Sequence, residues 1–435
     1  MKTLLAILTF CSAALLQAVE ISSVTAKQRW PWNNLVDIDF TLSAPAGEAY
    51  RVRVEAKNSD GSKTYLATQY ANDPIAVNGK NRITWNFGAD YPGVRANDIK
   101  FAVSVYPYND STDPLYLVID LSAGPDAAKY PVRYSTKPPA HVRGATGEPC
   151  QTTELWFRRV RRPLSVQCLG WATDDVNSIF ATQTKDYYIA VFELTQKQFA
   201  LVTGLWPSKF ANVSCRDSRP VENVIYKDHL TGIFKTIHSH ADMISADSFF
   251  GRLRARTGLP FSLPTYAQWQ WAAQGAIPPK GEFYIYYVNG QQPSLGDVAR
   301  CAANSTGNAS STDSDLSAGT AAVGTYVPND LGLYDMLGNV EECTGEVLEV
   351  WNKHAIADEQ AWLRETKGDA TLGTKTNPLV DPAGRSDTES VYLRVMGGNY
   401  EGDSESITLW RTDVVESGNW KDNRKIGVRL SLTIE

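Results

Sequence analysis

The chain has 435 residues, with 42 Lys and Arg against 48 Asp and Glu, a formal net charge of −6. At ~150 residues per domain this length allows two or three domains, and 43% hydrophobic against 21% charged residues supplies a core and excludes general disorder. The excess of acid excludes a nucleic-acid backbone as the main partner, because that demands a basic face.

The chain opens MKTLLAILTFCSAALLQA. Lys2 is a positive lead-in, Leu4 to Phe10 an apolar stretch, and small residues follow up to Ala18, the pattern of a cleaved secretory signal over residues 1–18. Cys11 raises lipidation as an alternative, but bulky Phe10 precedes it where a lipid-attachment site has a small residue. No later segment holds ~18 consecutive apolar residues, so no transmembrane segment is expected. The reading is an exported protein, periplasmic, cell-surface or extracellular.

Residues 19–122 alternate apolar and polar: VDIDFTLSA from Val36, YRVRVEAK from Tyr50, ITWNF from Ile83 and KFAVSVYPY from Lys100. Turn clusters such as Asn58 to Gly61 and Asn78-Gly79 separate them. Short alternating strands broken by such turns predict a β-sandwich of immunoglobulin or fibronectin type. Residues 123–152 carry Pro125, Pro131, Pro138, Pro139 and Pro149 and are expected to form an extended linker. A second domain is expected over 153–435. In it, Thr195 is placed to cap a helix that presents Phe199 and Val202 on one face and ends at Gly204. Thr265 is placed to cap another, with Trp269, Ala272 and Ala273 as an apolar stripe facing a core. Arg158, Arg159, Arg161 and Arg162 form the single basic run, expected on a solvated strand face. Asn304 to Gly319 is expected to be a long polar loop.

Five cysteines follow the signal: Cys150, Cys168, Cys215, Cys301 and Cys343. An odd number in an exported chain leaves at least one unpaired, and one or two disulfides plus a buried thiol are expected. None forms a Cys-x-x-Cys pair. His238 and His240 make a His-x-His pair with no third clear ligand beside it, so a metal site is not expected there.

Motifs spread over the second domain carry a resemblance: YYIAVFELTQKQFALVTG from Tyr187, RPVENVIY from Arg219, LPTYAQWQWAAQG from Leu263, PNDLGLYDMLGNVEEC from Pro328, DPAGR from Asp381, RVMGGNY from Arg394 and GVRL from Gly427. In this order they resemble the formylglycine-generating enzyme, or sulfatase-modifying factor, family. The resemblance implies an α+β fold in which a C-type-lectin-like domain with long loops follows the all-β sandwich. It also implies oxidation of a sulfatase cysteine to formylglycine with copper and dioxygen. That chemistry uses two cysteines about five positions apart, because copper(I) is soft and prefers thiolate. Aligned on Gly397 and Gly398, those positions fall on Gly402 and Ile407, and no cysteine follows Cys343. Copper is therefore not expected. A copper pair rebuilt from Cys215, Cys301 or Cys343, the last standing where the family has a tryptophan, would need two of them to converge.

The resemblance also implies a structural calcium site in GLYDMLGNVEEC, with side-chain oxygens from Asp335 and Glu342 and carbonyls from Gly338 and Val340. Calcium is hard and takes six to eight oxygens, carbonyls included. The expected function is a non-catalytic domain whose former substrate cleft, with Trp410 and Trp420 near it, binds a peptide, glycan or protein partner. The alternatives are an active oxidase with an unconventional site and a structural envelope module.

Overall fold

The computed structural model describes residues 19–29, 34–44, 49–58, 63–67, 69–72, 74–94, 99–107, 115–163, 167–169, 179–211, 215–232, 243–276, 293–306, 318–348, 377–382, 392–409, 412–416 and 423–434. The chain divides into two compact units, Met1–Tyr108 and Asn109–Glu435.

The first unit holds β1 (Glu20–Gln28), β2 (Leu35–Ser43), β3 (Ala49–Asn58), β4 (Thr64–Leu66), β5 (Ile75–Val77), β6 (Gly79–Asn86) and β7 (Ile99–Pro107). One antiparallel sheet runs β1-β2-β6, and a second is centred on β3, which pairs with β4, β5 and β7. Alternation explains the layering, because successive strand side chains point to opposite faces. In β2, Val36, Ile38, Phe40 and Leu42 are buried; in β3, Val52, Val54 and Ala56 are, and both sets join one core around Trp85. Burying one Val, Ile or Phe side chain stabilises by about 1.5–3 kcal/mol. Asp37 is the buried charge in β2. Two hydrogen bonds of 2.8 Å from Arg29 and one of 2.8 Å from the Thr84 hydroxyl satisfy it.

The second unit is α+β. Its largest sheet has the order β19-β13-β10-β8-β9, built from β8 (Tyr116–Asp120), β9 (Val132–Ser135), β10 (Glu154–Val160), β13 (Tyr187–Ala190) and β19 (Ser431–Thr433). A smaller sheet joins β11 (Gln167–Leu169), β12 (Ile179–Thr182) and β15 (Leu379–Val380). The third has the order β17-β16-β14-β18, from β14 (Glu341–Leu348), β16 (Tyr392–Met396), β17 (Thr412–Glu416) and β18 (Ile426–Gly427).

Helices fill in around these sheets. Gln196–Thr203 starts in a capping box: the Thr195 hydroxyl accepts from Gln198 N at 3.2 Å while Gln198 Oε1 accepts from Thr195 N at 3.0 Å. It ends on Gly204 in the left-handed region and buries Phe199 and Val202. Tyr266–Ala273 starts the same way from Thr265 and Gln268, and all eight of its residues are buried. The stripe of Trp269, Ala272 and Ala273 lies in a core shared with Met336, Leu337, Met396 and Ile407.

Three expectations are corrected here. The boundary between units falls at 108/109, and residues 123–152 are part of a folded domain, not a tether. Leu117, Ile119, Leu121 and Tyr130 enter the main core of the second unit. β8 pairs with β10, and β9 is the edge strand outside it. An edge strand tolerates neighbouring prolines because its outer N–H groups need no partner, and Pro149 takes the first turn of a short helix, Pro149–Thr152, where its missing N–H does no harm. Second, all five cysteines of the described residues are free thiols. Cys150, Cys301 and Cys343 lie in three separate core clusters, so the core itself keeps them apart. Third, the arginine run is half-buried and paired. Arg159 and Arg161 reach Asp186 at 3.1 and 3.6 Å, and Arg158 lies over the Tyr116 ring at 5.5 Å.

Among the described residues no helix is long and apolar enough to cross a membrane.

Candidate functional site

β16 runs into the turn Gly397 to Ile407. This turn is stitched to a second one at Gly338-Asn339: Gly338 N donates to Gly397 O at 2.8 Å and Tyr400 N to Asn339 O at 3.0 Å. Asn399 holds the turn from within, accepting from Glu401 N at 3.0 Å and donating to Glu341 at 2.7 Å. Gly402 and Ile407 face each other across it. A Cβ added to Gly402 would stand 2.7 Å from Ile407 Cγ1, and Ile407 is fully buried. One position has no side chain and the other is a branched alkyl group, so a thiolate pair cannot form and an apolar contact fills its place.

Behind the Gly338-Asn339 turn lies a buried polar cluster. Arg429, at the start of the last strand region, is fully buried and binds Glu342 in a bidentate pair of 2.6–2.9 Å. Its remaining donors reach the carbonyls of Ala190 at 2.9 Å and Tyr334 at 2.7 Å. Trp269 Nε1 donates to Glu342 at 2.6 Å. Glu193 accepts from Asn339 Nδ2 at 2.6 Å and Val340 N at 3.2 Å. Asp335 accepts from Gly324 N at 2.6 Å through one oxygen, and its other oxygen, Oδ1, is buried without a partner. One guanidinium thus serves three buried acids. Burial pushes the carboxyls of Glu193 and Asp335 up, and the neighbouring acids push them further. Burial favours the acid form of both, since a lone buried carboxylate is costlier than its protonated form, while Arg429 favours the ionised form.

Residues 176–433 match the family model described as the sulfatase-modifying factor enzyme 1-like domain. The chain belongs to the sulfatase-modifying factor family. It is similar to the chaperone protein LppX of Paenibacillus barcinonensis, at 27% identity over 233 residues that cover 47% of this chain and 76% of that protein. No solved structure matches it.

The calcium ligands that family membership suggests are brought together only in part. Asp335, Gly338, Val340 and Glu342 do surround one turn, with Asp335 and Asn339 in the left-handed region at φ 55° and 57°. Asp335 Oδ1 would suit a cation. Glu342 does not: both its oxygens already accept from Arg429, and one from Trp269 as well. An arginine-centred cluster thus surrounds the expected calcium ligands Asp335, Gly338, Val340 and Glu342, and in it Glu342 already serves Arg429 and Trp269. Saturating calcium is expected to leave the thermal midpoint of this family member unchanged. A rise matching site occupancy, about 2.7 kcal/mol at a hundredfold excess over Kd, would show calcium displacing Arg429 from Glu342.

The side of the turn at Tyr400 carries a residue that sequence reasoning missed. Glu222 is fully buried. Its Oε1 accepts from Lys209 N at 2.6 Å and Phe210 N at 2.9 Å, and Oε2 is without a partner. Burial pushes its carboxyl up to about 7, against the pull of those two N–H groups and Arg424. The Phe210 ring stands edge-on to Tyr400 at 5.5 Å. Glu193, Glu222 and Arg429 each sit inside a motif quoted above, FELT, RPVEN and GVRL. A charged residue enclosed by apolar neighbours was the signal available for all three. His238, His240, His354, Trp410 and Trp420 lie outside the described residues, as do residues 1–18 and most of the polar loop.

Proposed function

We propose that the second unit is a non-catalytic member of the sulfatase-modifying factor family that binds a polypeptide partner after export. The observation that carries this is the contact between Gly402 and Ile407, which puts an apolar plug where the chemistry needs two thiolates. The opening MKTLLAILTFCSAALLQA supports export. The printed name of the similar Paenibacillus protein, a chaperone, favours a polypeptide over a glycan as the partner, since folds keep their scaffold while sites change.

The test gives the purified protein copper(I), dioxygen and a peptide with the Cys-x-Pro-x-Arg motif, with mass spectrometry for the aldehyde. No aldehyde is expected, while an unfolded client protein is expected to aggregate more slowly in its presence. A copper-dependent aldehyde would overturn the non-catalytic reading, and an unaltered client time course would overturn the polypeptide partner. The double variant Gly402→Cys/Ile407→Cys is expected to retain copper(I) that the wild type does not. Gly402→Cys alone is expected to be destabilised by about 1–3 kcal/mol, the range for overpacking a filled core, because its Cβ would meet Ile407.

A further inference from the structure

The segment read from sequence as a linker places His141, Glu148 and Cys150 together. One ligand atom of each lies within 4.8 Å of the other two, the one group of this kind among the described residues. Glu148 precedes the short helix Pro149–Thr152, and that turn swings Cys150 back beside it. Cys150 Sγ is 3.9 Å from Glu148 Oε2, and His141 Nδ1 is 2.5 Å from the same oxygen.

The other face of the imidazole decides what Nδ1 offers. His141 Nε2 lies 2.9 Å from the carbonyl oxygen of Gly324. A carbonyl only accepts, so Nε2 carries the proton and, in the neutral ring, Nδ1 presents a lone pair to Glu148. Two acceptors face each other there at 2.5 Å, a gap that holds a shared proton; a metal ion bonded to both would replace that proton and open the pair to about 3.3 Å. Histidines that ligate metals almost always donate their other N–H to a carbonyl or carboxylate, which fixes ring and tautomer. Edge-on packing by Phe192 and Tyr334, each 5.1 Å away, holds this ring. Val142 N steadies Glu148 at 3.1 Å.

We propose that His141, Glu148 and Cys150 form a binding site for a divalent ion of the zinc class, with an open fourth position. A thiolate, an imidazole and a single carboxylate suit zinc; calcium and magnesium demand oxygen throughout. One thiolate and one carboxylate neutralise a divalent ion. The His141 side chain is 1% exposed and that of Glu148 is 20% exposed, so water reaches the site from the Glu148 side and can complete a tetrahedral shell. Bound metal would clip residues 141–150 to the Gly324 backbone, 183 positions along the chain. This site is independent of the copper question and of the polypeptide partner.

The test loads the purified full chain with zinc, removes the excess and measures metal by mass spectrometry. About one ion per chain is expected. In the cobalt(II)-loaded protein a thiolate-to-cobalt charge-transfer band is expected, and Cys150→Ser is expected to abolish it while Cys168, Cys215, Cys301 and Cys343 remain. Glu148→Gln, at the partly exposed ligand, is expected to weaken zinc binding by at least about tenfold. It is the variant to read if Cys150→Ser does not fold. A folded wild type that retains no zinc, or zinc retention that neither Cys150→Ser nor Glu148→Gln alters, would overturn the site.

Discussion

Arg429→Met is expected to destabilise the second unit by about 3–5 kcal/mol, the range for removing one partner of a buried ion pair. On a unit of this size that lowers the thermal midpoint by roughly 4–7 °C. The effect arises in three places at once. Glu342 loses the guanidinium that occupies both its oxygens, the carbonyls of Ala190 and Tyr334 lose their donors, and Glu193 and Asp335 lose the guanidinium that favours their ionised forms. Methionine fills much of the volume, so the loss reports on charge more than on a cavity. Adding Glu342→Gln to Arg429→Met is expected to recover a good part of it, because the amide removes the stranded charge and its oxygen still accepts from Trp269 Nε1. Chemical denaturation of the wild type and the two variants checks this. A single variant within about 1 kcal/mol of wild type would mean that the cluster holds no net charge for Arg429 to balance.

Glu222→Gln is expected to stabilise the protein at alkaline pH and to be near-neutral in acid. In the unfolded chain Glu222 titrates near 4.5, and in the folded chain burial holds it up to about 7. Between those two values the native state keeps a proton that the unfolded state has already lost. Raising the pH through this window therefore costs stability, by up to about 3 kcal/mol in total, and above about pH 7 this contribution is flat. Glutamine cannot ionise, and its oxygen still accepts from the N–H groups of Lys209 and Phe210. The measurement is the difference in unfolding free energy between variant and wild type, which is expected to grow from near zero at about pH 4 to about 3 kcal/mol at about pH 8. A difference that stays constant over that range would show that Glu222 ionises as freely as in water.

The parts of this molecule legible in its sequence were those governed by near neighbours. Alternation in VDIDFTLSA and YRVRVEAK marks strands because the side-chain period of a strand is two. Thr195 with Gln198 and Thr265 with Gln268 mark helix starts because the capping box closes within three residues. The absence of cysteine at 402 and 407 is visible directly, and the structure adds that the two positions touch. What stayed hidden depends on partners far along the chain. Glu342 reads as a cation ligand until Arg429, 87 positions on, is found holding it. The prolines at 125, 131, 138, 139 and 149 signal only an extended backbone. An extended backbone serves a tether and an edge strand alike, and the difference is β10, onto which β8 and β9 build.

The sheet of the second unit has a consequence for where this protein can be cut. β10 is its middle strand, yet β8, β9 and β10 all precede residue 176, where the family match begins. A fragment trimmed to the matched residues would keep only β13 and β19 of the five strands. The hydrogen-bonding edge of Tyr187–Ala190 would lie open along the register it shares with Phe157–Val160, and the core would lose Leu117, Ile119, Leu155 and Phe157. An open edge beside stripped apolar surface is a template for intermolecular pairing. The inherited module and the module that folds thus have different borders, and a soluble fragment has to begin before Tyr116.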